Sequence, residues 1–259
     1  MGTSDSGRSA DMISAASVRH SSLWRELGLA LRRVALPAVA IAAGVVLLGL
    51  LITHVLEHGW LAHESVVNRD LVQDRTAAGN TATHLFTFFA ETPTIIALTA
   101  AAAIACRFIF RRWRESVYVV LTVAGETLIF LLATLLIDRK RPRVPQLDDA
   151  PPTSSYPSGH TAAAVCFYGS IAAIVLWRSR HALLKAAVVT LAVLVPLLVG
   201  ASRLYRGMHF PSDVLAGLLL GTTWFWVTTR QVLIRGWGRQ ASRWSHSTSA
   251  ATASREAVR

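Results

Sequence analysis

The chain has 259 residues, 53% of them hydrophobic and only 16% charged, with a mean hydropathy of +0.43. Soluble domains carry nearer a quarter charged residues, so the composition excludes an ordinary soluble globule and points to a membrane protein. The net charge of +11 raises nucleic acid as a partner, but the placement of that charge argues against it.

In chain order, residues 1–33 are polar and basic and read as a cytoplasmic segment without a cleavable signal. Residues 23–31 fit a short amphipathic helix on the inner surface, with Trp24 as interface anchor. A bilayer core takes about 20 apolar residues to cross. Six stretches meet or approach that length: 34–56, 93–110, 117–137, 161–177, 183–200 and 214–234. The fold expected is therefore all-α, a polytopic six-helix bundle over 34–234. The connection 58–92 is the longest, and its apolar residues predict one or two interfacial helices interrupted around Gly79-Asn80. Residues 235–259 form a basic tail, read as cytoplasmic and disordered.

The basic residues alternate from one connection to the next. Arg8, Arg19, Arg25, Arg32 and Arg33 precede the first span; Arg107, Arg111, Arg112 and Arg114 join the second to the third. Arg178, Arg180 and Lys185 join the fourth to the fifth, and Arg230, Arg235, Arg239 and Arg243 follow the sixth. Basic short loops stay in the cytoplasm, so both termini are expected inside. Cys106 and Cys166 each fall within a predicted span and read as small buried residues. Glu126, midway along the third span, is costly there; structural hydrogen bonding or a place in the wall of a lipid cavity would account for it.

With the termini inside, the connections 138–159 and 202–212 face outward. The first breaks the charge rule with Arg139, Lys140, Arg141 and Arg143, and a phosphate partner is a reason for such a violation. Next comes Pro157-Ser158-Gly159-His160, opening the fourth span. Glycine lets backbone N–H groups approach an anion, a helix N-terminus supplies unpaired donors, and a histidine at its mouth can exchange a proton. A common Ser-Gly turn with an ordinary interface histidine is the competing reading of that run alone. Then Ser202-Arg203 is followed by His209 and Asp213, four residues apart, with Pro211 between them favouring a first helical turn. A carboxylate at that spacing can hold a histidine N–H and leave the other ring nitrogen nucleophilic. Arginine suits bidentate phosphate contact. Taken alone, the His-x3-Asp pair could also be a structural contact or half a metal site.

Together, Arg141-Pro142, Pro157-Ser158-Gly159-His160 and Ser202-Arg203-x5-His209-x3-Asp213 resemble the three-part signature of the type 2 phosphatidic acid phosphatase family. The resemblance covers about residues 34–234, and the stretches TSSYPSGHTAAA and SRLYRGMHFPSDVLAGLLLG are similar to its bacterial members. It implies six membrane helices with the site on the outer face. It also implies roles: His209 attacks phosphorus and becomes phosphohistidine, Asp213 orients His209, and His160 protonates the leaving oxygen and later activates water. Arg141, Arg203, Ser158 and the Gly159 N–H would bind the phosphate oxygens; no metal or other cofactor is implied. The family's first motif has a lysine seven residues before its Arg-Pro arginine, whereas this chain has Thr134. Arg139 is expected to supply the missing charge, with Lys140 as the other candidate.

The function expected is hydrolysis of a lipid phosphate or diphosphate in the cell membrane, with undecaprenyl diphosphate as leading substrate. Phosphatidic acid or phosphatidylglycerol phosphate is the alternative. An inactive lipid-binding or transport protein on the same fold is the rival from another class, favoured only by Thr134. Partners are the lipid substrate and membrane lipids, not nucleic acid; the sequence leaves oligomeric state open.

Overall fold

The computed structural model describes residues 23–56, 59, 61, 63–149 and 153–234. The polar stretch 1–22 and the basic tail 235–259 lie outside the described residues. The described chain is all-helical: α1 (Leu23–Leu51, ending in a π-helical turn Ile52–Leu56), α2 (Glu64–Gln73), α3 (Ala77–Phe88), α4 (Thr92–Phe110) and α5 (Arg114–Leu136). Then follow α6 (Gly159–Arg178), α7 (Ala182–Tyr205) and α8 (Pro211–Thr228, ending in a π-helical turn Thr229–Ile234).

Among the described residues five helices, α1, α4, α5, α6 and α7, are long and apolar enough to cross a membrane. The chain is a multi-pass membrane protein. The sixth expected span, 214–234, coincides with α8 and its π-helical turn. α8 falls outside the five because its first turn is Pro211-Ser212-Asp213 and three threonines interrupt its apolar run. Its Ser212, Asp213, Gly217, Gly221 and Trp224 are buried among the other helices, so α8 needs less lipid-facing apolar surface than its neighbours.

Two expectations about the first third of the chain are corrected. Residues 23–31 are no separate surface helix but the first turns of α1, which runs unbroken for 29 residues. At a rise of 1.5 Å per residue that is about 44 Å, longer than a hydrocarbon core of about 30 Å, so the extra turns extend beyond it. The outer connection does form two helices, but they part at Asp74–Thr76 rather than at Gly79-Asn80. Thr76 is the α3 N-cap, its Oγ1 accepting the Gly79 N–H at 3.0 Å.

Small residues bring α6 and α8 together, as is common between membrane helices. A Cβ on Gly217 would collide with the Ser158 carbonyl, and one on Gly221 would lie 2.8 Å from the Ala162 carbonyl. Polar contacts pin the core: Trp224 Nε1 donates to the Thr122 carbonyl at 2.8 Å, and Tyr118 Oη lies 2.6 Å from Thr229 Oγ1. Glu126 is 1% exposed, and its Oε1 has no hydrogen-bond partner, so the expected structural bond is not made at that atom. Cys106 and Cys166 are buried free thiols.

The α5 C-terminus, the α6 N-terminus, the α7 C-terminus and the α8 N-terminus meet at one end of the bundle, beside α2. The basic connections collect at the other. There Arg178 bonds Glu115 at 2.9 Å and Arg33 donates to the Gln231 carbonyl at 3.1 Å.

Candidate active site

α6 begins without a side-chain cap: Ser158 is its N-cap, and the first intrahelical bond is Ala162 N–H to the Ser158 carbonyl at 3.1 Å. The N–H groups of Gly159, His160 and Thr161 precede that bond and remain as donors, the condition for anion binding at a helix start. Phe130 explains the glycine, since a Cβ at position 159 would lie 2.9 Å from its ring. Ser158 is fully buried and its Oγ pairs with Thr161 Oγ1 at 2.9 Å; its N–H donates to the Asp213 carbonyl at 2.9 Å. The α6 N-terminus is thus tied directly to α8.

Two arginines face this start. Arg203, in the last turn of α7, is 3% exposed; Nη1 donates to Asp148 Oδ2 at 2.7 Å while Nε has no partner. Arg141 donates from Nη1 to the Met208 carbonyl at 2.8 Å, and its Nε is also buried without a partner. Burial lowers the Arg141 pKa from its ordinary value, Asp213 working against the shift. Buried cationic donors with no acceptor are costly, and two such Nε donors beside an open helix N-terminus have the chemistry to hold a multiply charged anion. His160 is half-buried, within electrostatic reach of Arg203, His209, Asp148 and Arg141.

His209 sits in the turn between α7 and α8. Gly207, with φ +75°, makes that turn; a Cβ there would strain the backbone and meet Val144 at 2.8 Å. The imidazole is 4% exposed, and Nδ1 lies 2.7 Å from the Ser155 carbonyl oxygen. A carbonyl only accepts, so Nδ1 carries the hydrogen, and in the neutral ring Nε2 keeps its lone pair. Burial lowers the His209 pKa from its ordinary value, against the raising pull of Asp213. That balance favours the neutral ring.

Asp213 differs from expectation. Its Oδ2 is 3.9 Å from His209 Nδ1, outside hydrogen-bond reach, and instead accepts the Phe210 N–H at 2.8 Å, closing the first turn of α8. Oδ1 pairs with Arg139 Nη1. Arg139 is corrected with it. Expected on phosphate, it is 2% exposed, stacks 4.6 Å over the Phe210 ring, and gives its Nη atoms to Ser212, Asp213 and Glu64. Its pKa stays above the ordinary value although burial opposes this, because Asp213 and Glu64 favour the charge. Lys140 instead joins Arg141, Arg69, Arg143, Asn68 and Phe210 around a basic cavity of about 380 Å³. Thr134, in the last turn of α5, bonds back along its own helix, Oγ1 donating to the Leu131 carbonyl at 2.9 Å.

Three site neighbours escaped the sequence reading. Glu64 opens α2 and accepts from Ser212 N at 2.6 Å, Ser212 Oγ at 2.9 Å and Arg139 Nη2 at 2.9 Å. Asn68, one turn later, donates from Nδ2 to the His209 carbonyl at 3.0 Å. Arg206 clamps Asp148 through Nε at 2.8 and 2.9 Å and again through Nη2, holding the carboxylate that meets Arg203. Burial alone would raise the Asp148 pKa, but Arg206 and Arg203 hold it below its ordinary value. Glu64 and Asn68 left no signal in a polar connection 148 and 141 residues from their partners. Arg206 did leave one: it adds a second cation to an outward turn already carrying Arg203.

Comparison with known proteins bears on the same region. The model of the PAP2 superfamily matches residues 115–237. A phosphatidylglycerophosphatase B of Bacillus subtilis (strain 168) is 30% identical over 141 residues, 52% of this chain. The chain spans 64% of that relative's length, just under two thirds. The crystal structure of a transmembrane PAP2 type phosphatidylglycerolphosphate phosphatase from Bacillus subtilis superposes with a TM-score of 0.66 at 23% identity. That match covers 78% of this chain and 96% of the other, a likeness of fold. The matched region contains Arg141-Pro142 and both histidine runs, and over residues 115–237 the chain is similar to the PAP2 superfamily.

Proposed function

We propose that the protein is a membrane lipid phosphatase working through a phosphohistidine at His209. The observation that carries this is a buried imidazole with Nδ1–H committed to the Ser155 carbonyl, beside an uncapped helix start and two buried arginine Nε donors without acceptors. The Nε2 lone pair of His209 attacks the terminal phosphorus as its P–O bond to the leaving group, an ester or a diphosphate, breaks. His160 gives its proton to the departing oxygen, then takes one from water as water attacks the phosphohistidine. The P–N bond breaks, phosphate leaves and both histidines return to their starting states. Arg141, Arg203, the Gly159 N–H and Ser158 hold the equatorial oxygens, where charge spreads in the transition state.

The outward position of the site is part of the proposal and rests on the basic residues at the opposite end of the bundle. The catalytic unit is proposed as 34–234, extended to Leu23 because α1 begins there. For the substrate, an outward site favours undecaprenyl diphosphate, and the name of the Bacillus relative favours phosphatidylglycerol phosphate. Both carry two phosphates, and the basic cavity beside Arg141 favours them over phosphatidic acid. A panel of these three lipids on purified protein ranks them. Phosphate release is expected to persist in EDTA, to fall with vanadate, and to drop by about 10³-fold or more in His209→Ala, as when a nucleophile is removed. Full activity in that variant would overturn the mechanism, and a strict need for a divalent metal would replace it with metal chemistry.

A further inference from the structure

We propose that Glu64 and Arg139 are positioning residues for His209, acting through Ser155 and Asp213 and not on the phosphate. The inference rests on His209 being the nucleophile. Glu64 is the first residue of α2, a ten-residue helix that does not cross the membrane. Its carboxylate is 8% exposed and accepts three hydrogen bonds: two from Ser212, in the first turn of α8, and one from Arg139. The Arg139 fork continues to Ser212 Oγ at 2.7 Å and to Asp213 Oδ1. Asp213 is held at both oxygens, since Oδ2 takes the Phe210 N–H, and this fixes it 3.9 Å from the imidazole. The Arg139 main chain acts as well. Its carbonyl accepts the Ser155 N–H at 2.9 Å, and the Ser155 carbonyl receives His209 Nδ1–H. One residue therefore sets both groups that flank Nδ1.

The charges make the arrangement testable. Glu64, Arg139 and Asp213 together carry one negative charge in a buried cluster on the Nδ1 side of His209. The other charged groups around the ring are Arg203 from α7, Arg141 and the Arg-bound Asp148 from the 138–158 connection, and His160 from α6. A surplus of negative charge stabilises the imidazolium, so each change in the cluster moves the pH at which His209 becomes a neutral nucleophile. Removing the Glu64 charge lets Arg139 cancel Asp213; the imidazolium loses support and the acidic limb of activity moves down. Removing the Arg139 charge exposes Asp213, and the limb moves up. A purely structural role predicts no such opposition.

The test uses full-length protein in detergent with dioctanoyl phosphatidylglycerol phosphate, following kcat/KM against pH. Diethylpyrocarbonate modification of His209, read by mass spectrometry, follows the same titration without turnover. Glu64→Gln is expected to lower the acidic limb and Arg139→Gln to raise it, each by about half to one pH unit for a partly screened buried charge. kcat should fall about tenfold or more while KM changes little, since neither side chain meets the phosphate. Arg139→Lys, which keeps the charge but loses the fork, should return the limb to its wild-type position at reduced kcat. Shifts of the same sign, unshifted limbs, or a KM effect larger than the kcat effect would sink the proposal. If Glu64→Gln fails to fold, the Arg139 shift and its lysine rescue still decide. Full activity in His209→Ala would remove the nucleophile reading instead, while the modification titration would still report whether the cluster sets the ring's pKa.

Discussion

At the scale of single residues the site is governed by which buried polar atoms have partners. Arg203 and Arg141 each spend one Nη on a fixed acceptor and leave Nε unpaired, so both are oriented before any anion arrives. Preorganised donors of this kind are worth more than mobile ones because they need not reorganise during reaction. Asp148 is what orients Arg203, and Arg206 is what orients Asp148. Asp148 also yields a pH prediction. Its folded pKa is held below the ordinary value, so its contribution to stability is present above the unfolded pKa, about 3.9. That contribution is lost as pH falls through the folded value. Melting temperature measured down to acid pH should therefore decline below about pH 4, and Asp148→Asn should be less stable at neutral pH with part of that decline removed. An unchanged acid profile in Asp148→Asn would assign the loss to other carboxylates.

Among elements, the decisive contact is α6 against α8. In the proposed mechanism the phosphate sits at the α6 start while His209 precedes α8, so the relative position of the two helices sets whether nucleophile and phosphate meet. Gly217 lies under the Ser158 carbonyl with no room for a methyl group, and the Ser158 N–H bonds the Asp213 carbonyl at 2.9 Å. The obstacle is backbone, which cannot rotate aside. Gly217→Ala is expected to destabilise by about 1–3 kcal/mol, the usual range for overpacking, and to cut kcat more than it raises KM. Thermal unfolding and steady-state kinetics on the same preparation check both. Gly28 is a control position on α1 where a Cβ would meet nothing within 4 Å, and an alanine there should leave both unchanged.

Across the whole molecule, the two ends of the bundle divide their tasks. One end gathers the polar network of Glu64, Arg139, Arg141, Asp148, Arg203, His209 and Asp213. The other holds Glu115, fully buried, as the shared acceptor of Arg112 and Arg178, closing α5 against α6 a bundle length from the chemistry. Glu115→Ala should lower stability by about 1–3 kcal/mol, the loss of charge-assisted hydrogen bonds made by a buried carboxylate, with kcat/KM of the surviving folded protein within twofold of wild type, since distant sites add independently. A large loss of activity at unchanged melting temperature would show that the ends are coupled.

The sequence by itself determined the membrane class, most of the helix positions and the three polar runs at their ends, because hydropathy and charge are local properties of the chain. The arginines, serine, glycine and histidines of those runs were legible for the same reason: each motif is contiguous, and its helix-end position follows from where the apolar run begins or stops. Tertiary structure alone decided which partner each charge found. The His-x3-Asp spacing suggested a direct bond, yet α8's own first turn and Arg139 take both Asp213 oxygens, and the Ser155 carbonyl, 54 residues from His209, holds Nδ1. Arg139 looked like a phosphate ligand beside Arg141 until Glu64, 75 residues away, claimed its other Nη. A buried charge is settled by the nearest charge in space, and no periodicity or spacing along the chain encodes that distance.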